Sequence, residues 1–263
     1  MGKVLFRRTN DRKSFVRDVI EEFSSAMEGW EEVVINLSLV SNEPYPATTH
    51  PDVLSEIISL FREKRVSIVA GPAVDSVIRD RIPESHPLRL VARKFGFDLT
   101  NLNLLDTIKV KGRRMKLRLA NILGKENMIS LPVLREHKSC KISCALENQL
   151  DFLSVKEKFL LYTRLKDIHL TIAEVNLLVR PKMFVVDAIE VMVGAQERRR
   201  GGRVEKLGYM IAGDDPVSID SFCLELMGEI SPRLSKLRPE DVKYLRLAEE
   251  AGIGSIRYEA VEI

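Results

Sequence analysis

The chain has 263 residues, of which 45% are hydrophobic and 30% are charged, and its formal net charge is +3. This balance excludes an intrinsically disordered chain, and no apolar run approaches the roughly 18 residues that a membrane-spanning helix needs. The mild positive charge gives little support to nucleic-acid binding.

The N-terminal segment and the cysteines indicate the compartment. No long apolar stretch follows Met1, so we expect no export signal and no membrane partner. Three cysteines are too few, and too odd a number, for a disulfide framework. We therefore expect a cytoplasmic protein. Only two glutamines accompany abundant Glu, Lys and Arg, which is a thermophile-like composition.

The first third of the chain alternates strands and helices. Apolar segments predict buried strands at residues 3–8, 32–37 and 66–70. A helix capped by Asn10 or Asp11 follows the first strand, and a helix with Pro51 in its first turn follows the second. This order predicts a parallel sheet with crossover helices.

The remaining chain continues the pattern after one interruption. Residues 105–111 and 114–119 alternate apolar and basic side chains around Gly112, which predicts a β-hairpin. Further strands are predicted at 127–134, 183–186 and 204–212, with short ones near Ile256 and Val261, and helices at 156–178, 216–227 and 239–251. We predict a single α/β domain over residues 1–263, with a mostly parallel or mixed sheet, flanking helices and a hairpin excursion at about 104–120.

The segment after the predicted strand 127–134 is the strongest candidate for a site. Ligands of open α/β sheets bind beyond the carboxyl ends of strands, and His137 and Asn148 follow this strand end. Glu136 and Lys138 flank His137 and could tune it for proton transfer. The alternative is a solvated loop histidine.

Two cysteines in the same segment suggest a metal, but weakly. Cys140 and Cys144 would share one face of a helix and could bind a metal together with His137. Zinc sites more often have two residues between their cysteines, so we favour two buried side chains on a packed helix.

Three aspartates could supply oxygen ligands or acid–base groups. Asp187 is expected at the end of the buried strand 183–186, and Asp220 lies on an otherwise apolar helix. Asp215 precedes Pro216, a pattern that is also typical of a helix N-cap.

Two further residues could bind an anion. His50 lies at a predicted helix start, where free N–H groups attract anions, although Thr48 and Thr49 could instead cap this helix. Arg203 closes the basic loop 198–203, which could pair with a phosphate or carboxylate or could be a solvated tip. The loop and the hairpin lack the aromatic residues that single-strand binding uses, so nucleic acid is an unfavoured partner.

Several sequence blocks, in order, resemble the domain of unknown function (DUF) 362 family. They cover about residues 33–255 and comprise Leu39-Val40, Thr48-Thr-His-Pro51, Leu131-Pro-Val-Leu134 with His137, Ser143 with Ala145-Leu146 and Asn148, Val185-Val-Asp-Ala-Ile189, and Ala212-Gly-Asp-Asp-Pro-Val217 with Asp220. The resemblance implies a cytoplasmic α/β protein of uncharacterised activity. Many relatives look redox-associated and carry an added ferredoxin-type cluster domain; this chain lacks the cysteine run, so we expect no intrinsic iron–sulfur cluster.

The chain departs from the family pattern where the family has lysines. Lys-Pro-Asn is replaced by Asn36-Leu37-Ser38, and Lys-Thr-His by Arg135-Glu136-His137. In Ser-Gly-Ala-Leu-Lys-Asn the lysine is replaced by Glu147. The glycine-rich turn after Met192 reads Gly194-Ala195-Gln196-Glu197. Losing positive charge would weaken an anion site, so the resemblance implies a diverged member with altered or absent activity.

We expect the polar candidates to converge on one small-molecule, anion or metal site at the strand ends. The catalytic candidates are His137, Asp187 and Asp220, and the ligand-binding candidates are His50, Asn148, Asp215 and Arg203. All of these except Arg203 should converge. With no nucleophile elbow visible, a redox- or metal-linked reaction is favoured over hydrolysis. The alternative is a non-catalytic accessory protein, and the metal, the cofactor and homo-oligomer formation are left open.

Overall fold

A computed structural model describes residues 1–122 and 127–263, in which one mixed sheet is the main element. The strands are β1 (Gly2–Arg8), β2 (Glu32–Leu37), β3 (Arg65–Ala70), β4 (Leu99–Asn101), β5 (Thr107–Lys111), β6 (Lys116–Ala120), β7 (Met128–Leu131), β8 (Val133–His137), β9 (Lys141–Ser143), β10 (Met183–Val193), β11 (Arg203–Gly213) and β12 (Tyr258–Glu262). The α-helices are α1 (Arg12–Glu22), α2 (Pro51–Phe61), α3 (Pro87–Lys94), α4 (Val155–Tyr162), α5 (Ile168–Leu178), α6 (Pro216–Ile230) and α7 (Lys243–Glu250). The predicted α/β class with a mixed sheet and flanking helices is confirmed.

The sheet is parallel along most of its width. Its strand order is β12-β1-β11-β10-β7-β2-β3-β4, and β11 runs antiparallel to both of its neighbours. The strands β7, β2, β3 and β4 pair in parallel, as crossover connections require. The predicted hairpin is present as β5 and β6, which pair only with each other among the described strands.

Apolar side chains cover both faces of the sheet, and β10 shows how the sequence achieves this. Phe184 and Val186 belong to one buried cluster, whereas Met183 and Val185 belong to the other. Alternation with a period of two sends successive side chains to opposite faces. Helices α1 and α2 pack on one face and α5 and α6 on the other. No helix in the described ranges has both the length and the apolar character needed to cross a bilayer.

The sheet opens beside β10, and this opening positions the site. β7 pairs with the first residues of β10, and β8 pairs with β10 further along. Between them Pro132, which has no backbone N–H, accepts a hydrogen bond from Asp187 N at 3.1 Å. Beyond this point β8 turns back through β9 instead of following β2. Space is therefore left at the carboxyl ends of β2, β3 and β8.

Several predicted boundaries were wrong. The strand expected to stop at residue 134 continues as β8 through His137, because Arg135 and Glu136 find buried hydrogen-bond partners on opposite faces. The strand expected to end before Asp187 continues as β10 to Val193, because Arg12 neutralises that carboxylate.

The long predicted helices are shorter than expected. Residues 156–178 form α4 and α5, separated by a turn that includes Arg164 at a positive φ of 59°. Residues 239–251 form a 3-10 turn followed by α7. The two short strands predicted near Ile256 and Val261 are one strand, β12, which begins at Tyr258 and contains Val261. The single-domain assignment over 1–263 stays a prediction.

Helix α6 begins as the sequence predicts. Asp215 Oδ1 accepts hydrogen bonds from Val217 N at 2.9 Å and Ser218 N at 3.0 Å, which satisfies free amides of the first turn. Its Oδ2 accepts from Ser255 N at 2.9 Å and ties the C-terminal segment to this helix.

Asp215→Ala should therefore lower the free energy of unfolding by about 2 kcal/mol, because it removes the N-cap and the bond to Ser255. Asp214→Ala is the matched control, because Asp214 is exposed and should change the stability little. Urea unfolding of both variants measures the difference. Equal stability of the two variants would contradict the assigned N-cap role.

Candidate functional site

A cavity of about 490 Å³ lies where the sheet opens. Ser38 follows β2, Gly71 follows β3 and His137 ends β8, and all three line the cavity. We call this space the polar cavity, because twelve ionisable or amide side chains line it: Asp75, Arg135, His137, Lys138, Glu147, Asn148, Asp151, Lys158, Tyr162, Arg164, Gln196 and Arg200. The sequence predicted a ligand site at these strand ends, and ligand binding in the polar cavity stays a prediction.

Arg135 is the most deeply buried charge of the polar cavity. Its Nη1 donates to Ala47 O at 2.8 Å, and its Nη2 donates to Ser38 Oγ at 2.8 Å and Ser143 Oγ at 2.9 Å. These partners are neutral, and Nε has no partner among the described residues. Ser143 in turn donates to Glu147 Oε2 at 2.5 Å, so a hydroxyl separates the guanidinium from the carboxylate that it influences. Burial lowers the pKa of Arg135.

His137 presents a neutral imidazole. Its Nδ1 accepts hydrogen bonds from Ser139 N at 3.0 Å and Cys140 N at 3.1 Å, so the proton of the neutral ring lies on Nε2. Burial is the main cause that lowers the pKa of His137, and Arg135 and Arg200 lower it further. The ring therefore offers an N–H donor at neutral pH. Nε2 has no protein partner in the described part of the chain.

Asn148 lies beside His137 in the lining of the polar cavity. It belongs to the 3-10 turn Glu147–Phe152, and its Nδ2 donates to Ser130 Oγ at 3.1 Å. Gln149 donates to the same hydroxyl at 3.0 Å, so two amides fix this turn against β7. The amide oxygen of Asn148 remains without a protein donor within the described ranges. His137 and Asn148 are the two candidates that the structure brings together.

Lys158, which is buried, and Asp151, which is half-buried, both hydrogen-bond to Gly71 and interact through their charges, and the sequence did not predict either residue. Lys158 Nζ donates to Gly71 O at 3.0 Å and Asn103 Oδ1 at 2.7 Å, while Asp151 Oδ2 accepts from Gly71 N at 3.4 Å. Burial raises the pKa of Asp151 and lowers the pKa of Lys158. Nothing in the sequence distinguishes Lys158 from the exposed Lys156 nearby, because the difference is made by the packing of α4.

Charged side chains at the mouth of the polar cavity are largely paired. Arg200 forms an ion pair with Asp75, and Arg199 reaches the same carboxylate at 3.2 Å. Lys138 Nζ donates to Arg200 O at 3.1 Å, while its charge stays without a carboxylate partner among the described residues. The basic loop 198–203 thus lies at the mouth of the polar cavity, but Asp75 and Glu197 neutralise the charges of Arg199 and Arg200.

A second polar cluster contains His50 and Asp187, outside the lining of the polar cavity. Arg12 Nε lies 2.6 Å from Asp187 Oδ2, and Tyr45 OH donates to Asp187 Oδ1 at 2.7 Å. The Tyr45 ring meets His50 edge-on with centroids 4.9 Å apart. His50 Nδ1, not Thr48 or Thr49, caps α2 by accepting from Asp52 N. Burial, followed by the charge of Arg12, lowers the pKa of His50.

The other sequence candidates hold the fold together away from the polar cavity. Asp220 accepts from Ala145 N at 2.7 Å and from Tyr244 OH at 3.1 Å, and burial raises its pKa to about 7. Asp215 is the N-cap of α6, and Arg203 lies 59% exposed in an ion pair with Glu205. The expected convergence of six residues is therefore wrong, because His50, Asp187, Asp215 and Asp220 do not line the polar cavity.

The cysteines do not form a cluster on a helix. Cys140 precedes β9, Cys144 follows it, and both thiols are buried and free. Burial raises the pKa of both thiols well above its usual value, which disfavours thiolate. Among the described residues, no three His, Cys, Asp or Glu side chains are grouped so that they could hold a metal ion.

Comparison with known families places the chain in one of them. A family model described as a domain of unknown function, DUF362, matches residues 33–225. The chain belongs to the DUF362 family. A comparison with curated proteins gave no match.

The DUF362 resemblance noted in the sequence can now be located in the structure. Among these departures, Arg135, Glu147 and Gln196 line the polar cavity, whereas Asn36 lies fully buried with both amide atoms unpartnered in the described structure. Asn36 and Glu147 lie at positions where the resemblance implies a lysine. In this chain Arg135 and Lys158 supply the buried positive charge of the polar cavity.

Gly71 has to be glycine for Lys158 and Asp151 to pack as they do. A Cβ at this position would lie 2.3 Å from Asp151 O and 2.7 Å from Lys158 Nζ. Gly71→Ala should lower the free energy of unfolding by about 1–3 kcal/mol, because the backbone of the 3-10 turn would have to move. Guanidinium unfolding measures this change.

Gly228→Ala is the control, because its Cβ would meet Leu234 O at an ordinary 3.5 Å inside α6. There alanine should raise the stability by up to about 1 kcal/mol. The packing is contradicted if Gly71→Ala is as stable as the wild type.

Proposed function

We propose that this protein binds a small molecule through an anionic group in the polar cavity. The observation that carries the proposal is the buried guanidinium of Arg135, whose three hydrogen-bond partners are all neutral. A buried charge without direct pairing is costly, and an anion in the adjoining cavity would compensate it. Because the dielectric constant is low inside the protein, the guanidinium attracts a nearby anion even if the two groups are not in direct contact.

The charge balance of the polar cavity supports an anion. Five cationic side chains line the polar cavity, whereas three lining side chains are acidic, and Asp75 is already paired with Arg200. The raised pKa of Asp151 favours its neutral form, which reduces the opposing negative charge. The free N–H of His137 and the charge of Lys138 are donors that a carboxylate or phosphate can use.

The same cavity supports either of two roles for the ligand. A catalyst could use Lys158 and Asp151 as acid–base groups, because burial brings their pKa values closer together. An accessory protein would bind the ligand unchanged, and the replacement of family lysines by Asn36 and Glu147 supports this alternative. The redox and metal predictions stay predictions; the donor groups of the polar cavity favour an anion over a metal.

The predicted cytoplasmic location and the prediction that nucleic acid is not a partner are proposals as well. Free, buried thiols at all three cysteines suit a reducing cytoplasm. Nucleic acid remains unfavoured, since Arg199 and Arg200 are engaged by Glu197 and Asp75 and have less charge to offer to phosphates.

The test is titration calorimetry with acetate, pyruvate, phosphate, sulfate and citrate at constant ionic strength. At least one of these anions should bind the wild type with one site per chain. Arg135→Met should weaken that binding by about tenfold or more, because a charged donor is lost. Lys138→Met, at the exposed mouth, should weaken it roughly threefold without touching the core.

Arg203→Met is the matched control, because Arg203 is an arginine that lies outside the polar cavity. Its affinity should equal that of the wild type. Circular dichroism establishes that each variant is folded. The proposal fails if no anion binds, or if Arg203→Met loses affinity while folded Arg135→Met and Lys138→Met keep it.

A further inference from the structure

A second concave surface adjoins the polar cavity and differs from it in chemistry. This apolar groove, of about 470 Å³, is lined by Val74, Val155, Phe159 and Tyr162, together with Asp75, Arg79 and Lys156 at its edge. Val74, Asp75 and Tyr162 also line the polar cavity. The two spaces therefore share a wall.

The charged residues of the apolar groove are mostly engaged by other groups. Asp75 pairs with Arg199 and Arg200, and Arg79 pairs with its neighbour Asp80. Among the described residues this leaves the exposed Lys156 as the unpaired charge at the edge. The surface that the apolar groove offers is mainly hydrocarbon and aromatic.

Helix α4 presents one face to each space. Val155, Phe159 and Tyr162 are four and three residues apart, so they follow one side of the helix into the apolar groove. Lys158 and Leu161 line the polar cavity. Phe159 is 53% exposed and Tyr162 is 56% exposed, which is unusual for neighbouring large apolar side chains unless a ligand or partner covers them.

We infer that the ligand of the polar cavity is an amphipathic anion, whose carboxylate or phosphate lies near Arg135 and whose hydrocarbon chain lies in the apolar groove. This inference rests on the proposed function and adds the class of ligand to it. The polar cavity and the apolar groove border each other at Val74, Asp75 and Tyr162. A molecule that binds in the polar cavity by its charged end can therefore place an apolar chain in the apolar groove.

The test compares straight-chain ligands that differ only in length. Acetate, butyrate, hexanoate and octanoate, and in a second arm ethyl, butyl and hexyl phosphate, are titrated below their micellar concentrations by calorimetry. Each added methylene should tighten binding by about two- to fourfold until the apolar groove is filled, with one site per chain. The series, carboxylates or alkyl phosphates, in which affinity rises more steeply with chain length identifies the anionic group of the ligand.

Phe159→Ser should flatten this gain and leave acetate and ethyl phosphate binding unchanged, because the short ligands do not reach the apolar groove. Leu90→Ser is the matched control, since Leu90 is a similarly exposed apolar residue on α3. It should keep the full dependence on chain length. Sedimentation of the wild type and Phe159→Ser reports whether a second copy covers the apolar groove instead.

Four results would overturn the inference. Equal affinity at all chain lengths would show that no hydrocarbon chain binds in the apolar groove, whereas the proposed function, anion binding, would still hold. A gain that survives in Phe159→Ser, or a dimer that this variant dissociates, would assign the apolar groove to another role. Absence of binding at every length in both arms would overturn the inference and the proposed function together.

Discussion

The burial of Arg135 is the constraint on which the arrangement of the polar cavity depends. Its guanidinium connects the end of β2 at Ser38, the loop at Ala47 and the end of β9 at Ser143. Ser38 and Ala47 precede Arg135 by about ninety residues, so this one side chain satisfies buried polar groups that distant parts of the chain bring together. The same interactions leave the positive charge without a direct carboxylate partner. Arg135 therefore both holds these segments together and attracts the proposed anion.

Successive side chains of β8 point to opposite faces of the strand, so Arg135 and Glu136 form separate sets of interactions. Arg135 and His137, two residues apart, line the polar cavity. Glu136 lies on the opposite face, where its carboxylate accepts from Gly194 N and Ser231 Oγ and pairs with Arg233 at 2.7 Å. One short strand thus fixes the cavity wall on one side and the end of α6 on the other.

The sequence was sufficient for features that depend on local pattern and insufficient for those that depend on contacts between distant segments. The bounds of β2 and the start of α6 at Asp215 follow from periodicity and capping. Asp187 was misplaced because an aspartate inside a buried strand needs Arg12, which lies far away in the chain. Lys158 was missed because its burial depends on where α4 packs.

Anomalous diffraction from crystals soaked in bromide tests the central claim most directly, because it locates an anion without assuming a ligand. The account predicts a bromide ion inside the polar cavity beside Arg135 or His137 in the wild type, and none there in Arg135→Met crystals grown in the same form. Bromide ions bound only at exposed arginines and lysines, with the polar cavity free of them in the wild type, would contradict the account.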